Sequence, residues 1–334
     1  NYSTNYNVSI GYDAGLSIAT GIENVIIGGK AGDALTTGGS NVAIGRASLT
    51  TDTVGSKSTA IGFQSLQTQN YGTATDSYNT AGGYQAGTAV TTGTDNTLIG
   101  GLAGDALTTG SLNTAIGKTA LGTDTKGSRS IAVGRYALGT QNFTTATDNY
   151  NVAMGYSAGG ALTTGTHNSL IGALAGDAIT DADYNVALGY SALGGNTVGS
   201  RSTAVGFQSL EAQNPATAAD MYNTAVGYNS GAAVTTATHN TLIGALAGDA
   251  LTTGASNVAV GYGALSTDDV GQHNVAIGRD ALSALNIATA ANTYNTAVGS
   301  NAGASITTGI ENTLIGGTAG DALQASNDNT AVGY

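Results

Sequence analysis

The sequence predicts an all-β fold, a β-solenoid (β-roll) of stacked 17- and 21-residue coils. Three observations predict it: a motif that recurs at fixed spacing, β-forming residues closed by glycine within that motif, and a composition unlike that of a globular domain. The motif reads NVSIG at Asn7, NVAIG at Asn41, NTLIG at Asn96 and NTAVG at Asn329, and it occurs 19 times in 334 residues. Its final glycines (Gly11, Gly28, Gly45, Gly62, Gly83 and onward to Gly333) are spaced 17, 17, 17 and 21, which sets a 72-residue super-repeat. Charged residues make up 9% of the chain and hydrophobic residues 41%. That balance excludes the usual disordered class. The repeat leaves no gap for a globular insert, so residues 1–334 read as one continuous repeat shaft.

The strand comes first. A 17-residue unit is too short for a pair of helices, and the Thr/Val-Ala-Ile core before a glycine reads as a short strand. Three places after the motif glycine stands Ala or Ser, as at Ala31, Ser48 and Ala103. Seven places after it many units carry Leu or Val (Leu35, Val90, Leu107, Leu162), and ten places after it there is usually Gly, as at Gly38, Gly55 and Gly93. The order is strand, corner, strand, corner. One such coil buries too little to fold alone, so each must pair its backbone with the next at ~4.8 Å. Nineteen coils would then span roughly 90 Å. Glycine is expected to supply positive φ at the corners. The single proline fits interior strands that need their N–H groups.

Asn fills the first motif position in 16 of 19 copies, with Ser58, Ser130 and Ser202 in the others. Asn24, Asn41, Asn96, Asn113, Asn168, Asn185, Asn240, Asn257 and Asn312 are expected to form a buried ladder whose amides bond one another and the corner backbone. Motif positions three and four are both apolar, as in Ala43-Ile44 and Leu98-Ile99. Alternate strand residues face opposite sides. One position must line the coil, and the other faces outward onto something dry. Small residues with a larger one at Leu98, Leu170, Leu242 and Leu314 suit a close interface between copies.

The 21-residue coils add four residues at one corner. Their variable side chains make them the candidate partner-contact loops: Tyr71 and Asp76, Phe143 and Asp148, Pro215 and Asp220, Ile287 and Asn292. The aspartates of the AGDA strings, Asp33, Asp105, Asp177, Asp249 and Asp321, are the weak calcium candidates. They come one coil in four, too far apart to share an ion, and the alternative is a carboxylate that bonds corner N–H groups. GGKAGDAL at Gly28 is superficially similar to calcium-binding nonapeptides, but the nine-residue period is absent. His167, His239 and His273 each precede a motif residue at a corner and are expected to be solvated. IGKT at Ile116 fails as a phosphate loop because Leu112 stands where that motif needs glycine. The aromatic residues after the motif glycine (Tyr12, Phe63, Tyr84, Tyr156, Tyr190, Phe207, Tyr228, Tyr262 and Tyr334) are expected to pack at a seam between copies, with sugar stacking as the other use.

Zero Cys excludes a disulfide scaffold and thiolate chemistry. A net charge of −12 argues against nucleic acid or an anionic membrane as partner, and no apolar run reaches the ~18 residues of a membrane span. No leader of the secretory type opens the chain at Asn1. Both ends lie inside the repeat, as expected of part of a longer shaft. No cofactor is implied.

The NTAIG/NVAIG motif with a small residue three places on resembles the head repeats of trimeric autotransporter adhesins. The string YNTAVGYNSGAAVTTATHNTLIG from Tyr222 is still more similar to repeat shafts of bacteriophage tail fibres. The resemblance implies a trimeric β-roll that acts as a rigid spacer or receptor-contacting surface and is not an enzyme. The expected function is therefore a homotrimeric structural fibre, extracellular, on a cell surface or a virion. Its partners would be its own copies and a host-surface receptor or glycan. The alternative is an adhesin that binds glycan or host protein along its side. Ice binding is the third reading, since TTG recurs at Thr36, Thr108 and Thr163. It ranks below the others because Thr53-Val54-Gly55 and Thr125-Lys126-Gly127 interrupt the array.

Overall fold

The computed structural model describes residues 5–334, which form two compact units, residues 5–167 and 168–334. No helix occurs among the described residues, and all the strands are two or three residues long. In each unit, motif positions two to four form a strand that lies parallel to its counterpart one coil on. In the first unit Val25 is in register with Val42, Ala43 with Ala60 and Thr97 with Thr114. In the second, Val186 is in register with Thr203, Ala225 with Leu242 and Val258 with Val275. Each unit is thus a parallel β-solenoid with one motif per coil, nine coils in the first and ten in the second among the described residues.

The strands stop at three residues because the motif glycine turns the chain. Gly100 has φ +134, a conformation open only to glycine, and a Cβ there would sit 2.6 Å from the Gly117 carbonyl oxygen. Glycine is needed for both reasons at once. The glycines ten places on differ from expectation. Gly38, Gly55 and Gly93 are not in the positive-φ region. At Gly38 the side chain is excluded because a Cβ would collide with the Gly55 carbonyl of the next coil.

Left-handed backbone falls on the glycines four places after the motif glycine, such as Gly32 and Gly104, and also on ordinary residues. In one coil Ser40, Ala47 and Leu49 have φ of 57, 57 and 50. Such conformations cost roughly 1 kcal/mol each. The turned N–H groups find partners in neighbouring coils, which offsets that cost. Ser40 donates to the Ile22 carbonyl at 2.9 Å, Ala47 to Gly29 at 3.0 Å and Leu49 to Ser65 at 3.0 Å.

Motif position three is the interior position. Ala43, Leu98, Ala115, Leu170, Leu242 and Leu314 are fully buried within their own coils, as are Ala31, Ser48 and Ala103. The Leu98 series is therefore core and not interface, and it is position four that faces out. A second pattern completes the core. Where the fourth place after the motif glycine is glycine (Gly32, Gly104, Gly248), the seventh is Leu35, Leu107 or Leu251. In the third and fourth coils of each super-repeat the leucine moves to the fourth place, as at Leu49, Leu66, Leu121 and Leu138. The seventh place then becomes polar yet stays buried: Asp52, Gln69, Asp124, Gln141, Asn196, Gln213 and Asp268, with Leu285 the exception. Both leucine positions reach the same interior space. A Cβ on Gly104 would lie 2.7 Å from a Leu98 methyl and 3.0 Å from a Leu107 methyl.

The four extra residues of each long coil let the chain add a short strand at the corner. Thr75–Asp76 pairs in parallel with Gly55–Ser56, and Thr147–Asp148 with Gly127–Ser128. In the second unit Ala219–Asp220 pairs with Gly199–Ser200, and Ala291–Asn292 with Gly271–Gln272.

Candidate interaction surface and corner cores

The outward face of the strand sheet is built by motif positions two and four. Position four carries Ile61, Ile99, Ile116 and Met154 in the first unit and Ile171, Leu188, Ile243, Ile277 and Ile315 in the second, each 37–46% exposed. Position two beside it is Val or Thr in most coils, as at Val42, Thr59, Thr97 and Thr114. Single exposed isoleucines are ordinary. An apolar column with a member on nearly every coil is a candidate interaction face.

Two columns of larger side chains accompany this face. After the motif glycine, Phe63 stacks on Tyr84 with centroids 5.5 Å apart, and Phe207 lies between Tyr190 and Tyr228 at 5.4 Å from each. Arg46 caps Phe63 and Arg135 caps Tyr156, each at 5.7 Å. Parallel register places equivalent rings one coil apart, so they stack on one another. The faces of Phe207 are thereby occupied within the chain and present only edges to solvent. The second column precedes the motif. Lys57 lies over Tyr78 at 5.0 Å, Arg129 over Tyr150 at 5.7 Å and Arg201 over Tyr184 at 4.9 Å. The histidines are exposed members of this column: His167 packs on Tyr150, His239 on Tyr222 and His273 on Tyr294, at 5.1–5.2 Å.

The Asn ladder lies inside. Asn24, Asn41, Asn96, Asn113, Asn168, Asn185, Asn240, Asn257 and Asn312 are all buried. The Asn41 N–H donates to Asn24 Oδ1 at 3.0 Å, and Asn41 Nδ2 donates to the Gly55 carbonyl at 2.9 Å. The same pair of bonds recurs at Asn113, Asn185 and Asn257. Each side chain thus satisfies one amide of its neighbour and one corner carbonyl.

At the long corners the structure departs from the sequence reading. Tyr71, Phe143, Pro215 and Ile287 are buried, so they are not surface contact residues. Their side chains close the widened end of the coil, which four more residues would otherwise leave open. Tyr71 donates its hydroxyl to the Gly93 carbonyl at 2.8 Å. Exposure falls on residues 72–74, 144–146, 216–218 and 288–290, and on Asp76, Asp148, Asp220 and Asn292. Three of these acids are paired: Asp76 with Lys57 at 2.6 Å, Asp148 with Arg129 at 3.0 Å and Asp220 with Arg201 at 2.9 Å. Such half-exposed pairs contribute little to stability.

The AGDA aspartates are spread along the surface. Asp33, Asp105, Asp177 and Asp249 are half-buried and Asp321 is exposed. Asp33 accepts a hydrogen bond from Thr50 Oγ1. Partial burial pushes the carboxyls of Asp105, Asp177 and Asp249 above the ordinary range. Among the described residues no three His, Asp or Glu side chains gather as a metal site would require. Among those residues, too, no helix is long and apolar enough to cross a membrane.

A polar cluster missing from the sequence reading sits beneath each long corner. In the first super-repeat Asp52 accepts the Gly55 N–H at 2.8 Å and Gln69 Nε2 at 2.7 Å. Gln69 Nε2 also donates to Ser58 Oγ at 2.7 Å, and Asn79 Nδ2 donates to Gln69 Oε1 at 2.9 Å. Asp124, Gln141, Ser130 and Asn151 repeat this arrangement. Burial raises the carboxyls of Asp52 and Asp124, and the glutamine amides offset part of that rise. In the third super-repeat Asn196 replaces the acid; it accepts the Gly199 N–H at 3.0 Å and donates to the Gly199 carbonyl at 2.7 Å. The sequence signal was the exchange of leucine between the fourth and seventh places, which leaves a polar residue at a position otherwise apolar.

No protein-family model matches this chain, and no curated protein matches its sequence.

Proposed function

We propose that this chain is a non-enzymatic structural segment of an extracellular fibre, on a virion tail or a cell-surface appendage, and that it assembles as a homotrimer through its outward strand face. The observation that supports the reading is the apolar column at motif position four, open to solvent on coil after coil. Water-exposed aliphatic surface repeated in this way gains by burial at roughly 25 cal/mol per Å². A second copy of the same chain offers a face with the same spacing. Backbone hydrogen bonds from coil to coil then give a stiff spacer, with receptor or glycan contact as a contribution from the assembled fibre. Mass measurement under native conditions tests the assembly. Three times the 32.6 kDa chain mass is expected, and a clean monomer at micromolar concentration would overturn it.

The adhesin reading draws on one observation. The exposed corner tips recur once per super-repeat with nearly the same small residues, Gly-Thr-Ala at 72–74, Thr-Thr-Ala at 144–146 and Ala-Thr-Ala at both 216–218 and 288–290. Glycan-array binding that is lost when these tips are replaced by glycine and serine would favour it over a pure spacer.

A further inference from the structure

The fourth super-repeat, residues 228–299, builds its corner core differently from the other three. Asp268 occupies the place of Asp52, Asp124 and Asn196, and is fully buried. Leu285 stands where Gln69 and Gln141 donate to the earlier carboxylates, so that amide is gone. Asn274 stands in place of Ser58 and Ser130. The consequence is visible on both sides of the missing amide. Asp268 Oδ2 and Asn274 Nδ2 are buried without a hydrogen-bond partner. Oδ1 keeps the Gly271 N–H at 3.0 Å, and Asn274 Oδ1 keeps Thr293 Oγ1 at 2.7 Å.

The surroundings offer the carboxylate no counter-charge. On its own corner Asp269 is the neighbouring charge, and its field disfavours ionisation further. The coil before places Leu251 at the equivalent position, and the coil after brings Leu285, Asn274 and the Ile287 amide. A buried carboxylate with one oxygen unpaired is stable only when protonated.

We propose that the Asp268 corner is a proton-operated latch, closed when the carboxyl is neutral and open across residues 262–292 when it is ionised. Mild acid then tightens this corner, whereas its counterparts around Asp52 and Asp124 stay closed at both pH values. Burial, aided by Asp269, pushes the Asp268 carboxyl up to about 6, which puts the transition between weakly acidic and neutral conditions.

Amide hydrogen exchange on the full chain tests this, with rates corrected for intrinsic pH dependence. Protection of peptides within 262–292 should rise about tenfold from pH 7.5 to pH 5. Peptides within 118–148, around Asp124, serve as the internal control and should change little. Asp268→Asn, which copies Asn196, should hold the corner closed at both pH values. Leu285→Gln restores the donor and should flatten the response even if Asp268→Asn folds poorly. An equal pH response in both corners, or one that survives either substitution, would overturn the proposal.

Discussion

At the scale of single residues, stability is concentrated in buried polar side chains. Asn113 accepts the Ser130 N–H at 2.9 Å and donates to the Gly127 carbonyl at 2.9 Å. Asn113→Ala strands both partners in a dry interior, and about 2–4 kcal/mol of stability should be lost. Asn113→Ser should cost less, since serine already fills this position at Ser58, Ser130 and Ser202. Urea midpoints for the two variants check the order. The buried acids give the pH dependence. A carboxyl whose folded value lies above its unfolded value binds its proton more tightly in the fold. Its stabilising effect is full below the unfolded value of 3.8 and fades as pH climbs through the folded value. For Asp268 that window runs from 3.8 to about 6, a contribution of about 3 kcal/mol. The melting temperature should therefore be higher at pH 5 than at pH 7.5, and Asp268→Asn should remove much of the difference. Gln69→Leu, which strips Asp52 of its amide donor, should widen it.

At the scale of the coil, two glycines separate the constraints. Gly100 turns each strand into the next corner at a φ only glycine tolerates, with the Gly117 backbone 2.6 Å from any added Cβ. Gly72 at a corner tip has no atom within 4 Å of an added Cβ. Gly100→Ala should cost about 3 kcal/mol or more, whereas Gly72→Ala should stay within about 0.5 kcal/mol. Thermal melts of the two variants read this directly. Much of the coil was legible in the sequence, because Ala and Ile adjacent in a motif closed by glycine allow few other arrangements. The asparagine at its head could hardly be exposed at every turn of a chain this poor in charge. Two features were not legible. Left-handed backbone at Ser40 and Ala47 carries no residue signature, since hydrogen bonds between coils impose it, and at Leu49 the signature lies only in other coils, where Gly32 and Gly104 fill the same place. The inward turn of Tyr71 and Phe143 depends on how wide the lengthened corner becomes, and a count of inserted residues does not reveal that.

At the scale of the molecule, the proposed assembly rests on the outward face. Ile99→Glu with Ile116→Glu places two charges on side chains that are 38% and 39% exposed, so the coils should still form. Assembly should fail, with the native mass falling from three chains to one. Circular dichroism unchanged beside a reduced mass would separate interface loss from unfolding. If the mass stays at three chains, the copies meet elsewhere. The face itself was foreseen from adjacent apolar positions, but the side chains assigned to it were not. Leu98 belongs inside and Ile99 outside, which alternation alone leaves undecided between two registers.

Parallel register has a consequence for inheritance. Because each side chain meets its equivalent one turn away, a block of 72 residues can be excised while every survivor still faces the same repeat position, although Asp33 would exchange Thr50 for Gly122. Removing 46–117 joins Gly45 to Lys118 and keeps the phase of every following turn. Unequal crossing-over in the gene would then act as a ruler, shortening or lengthening the protein in whole increments that keep the order of turns.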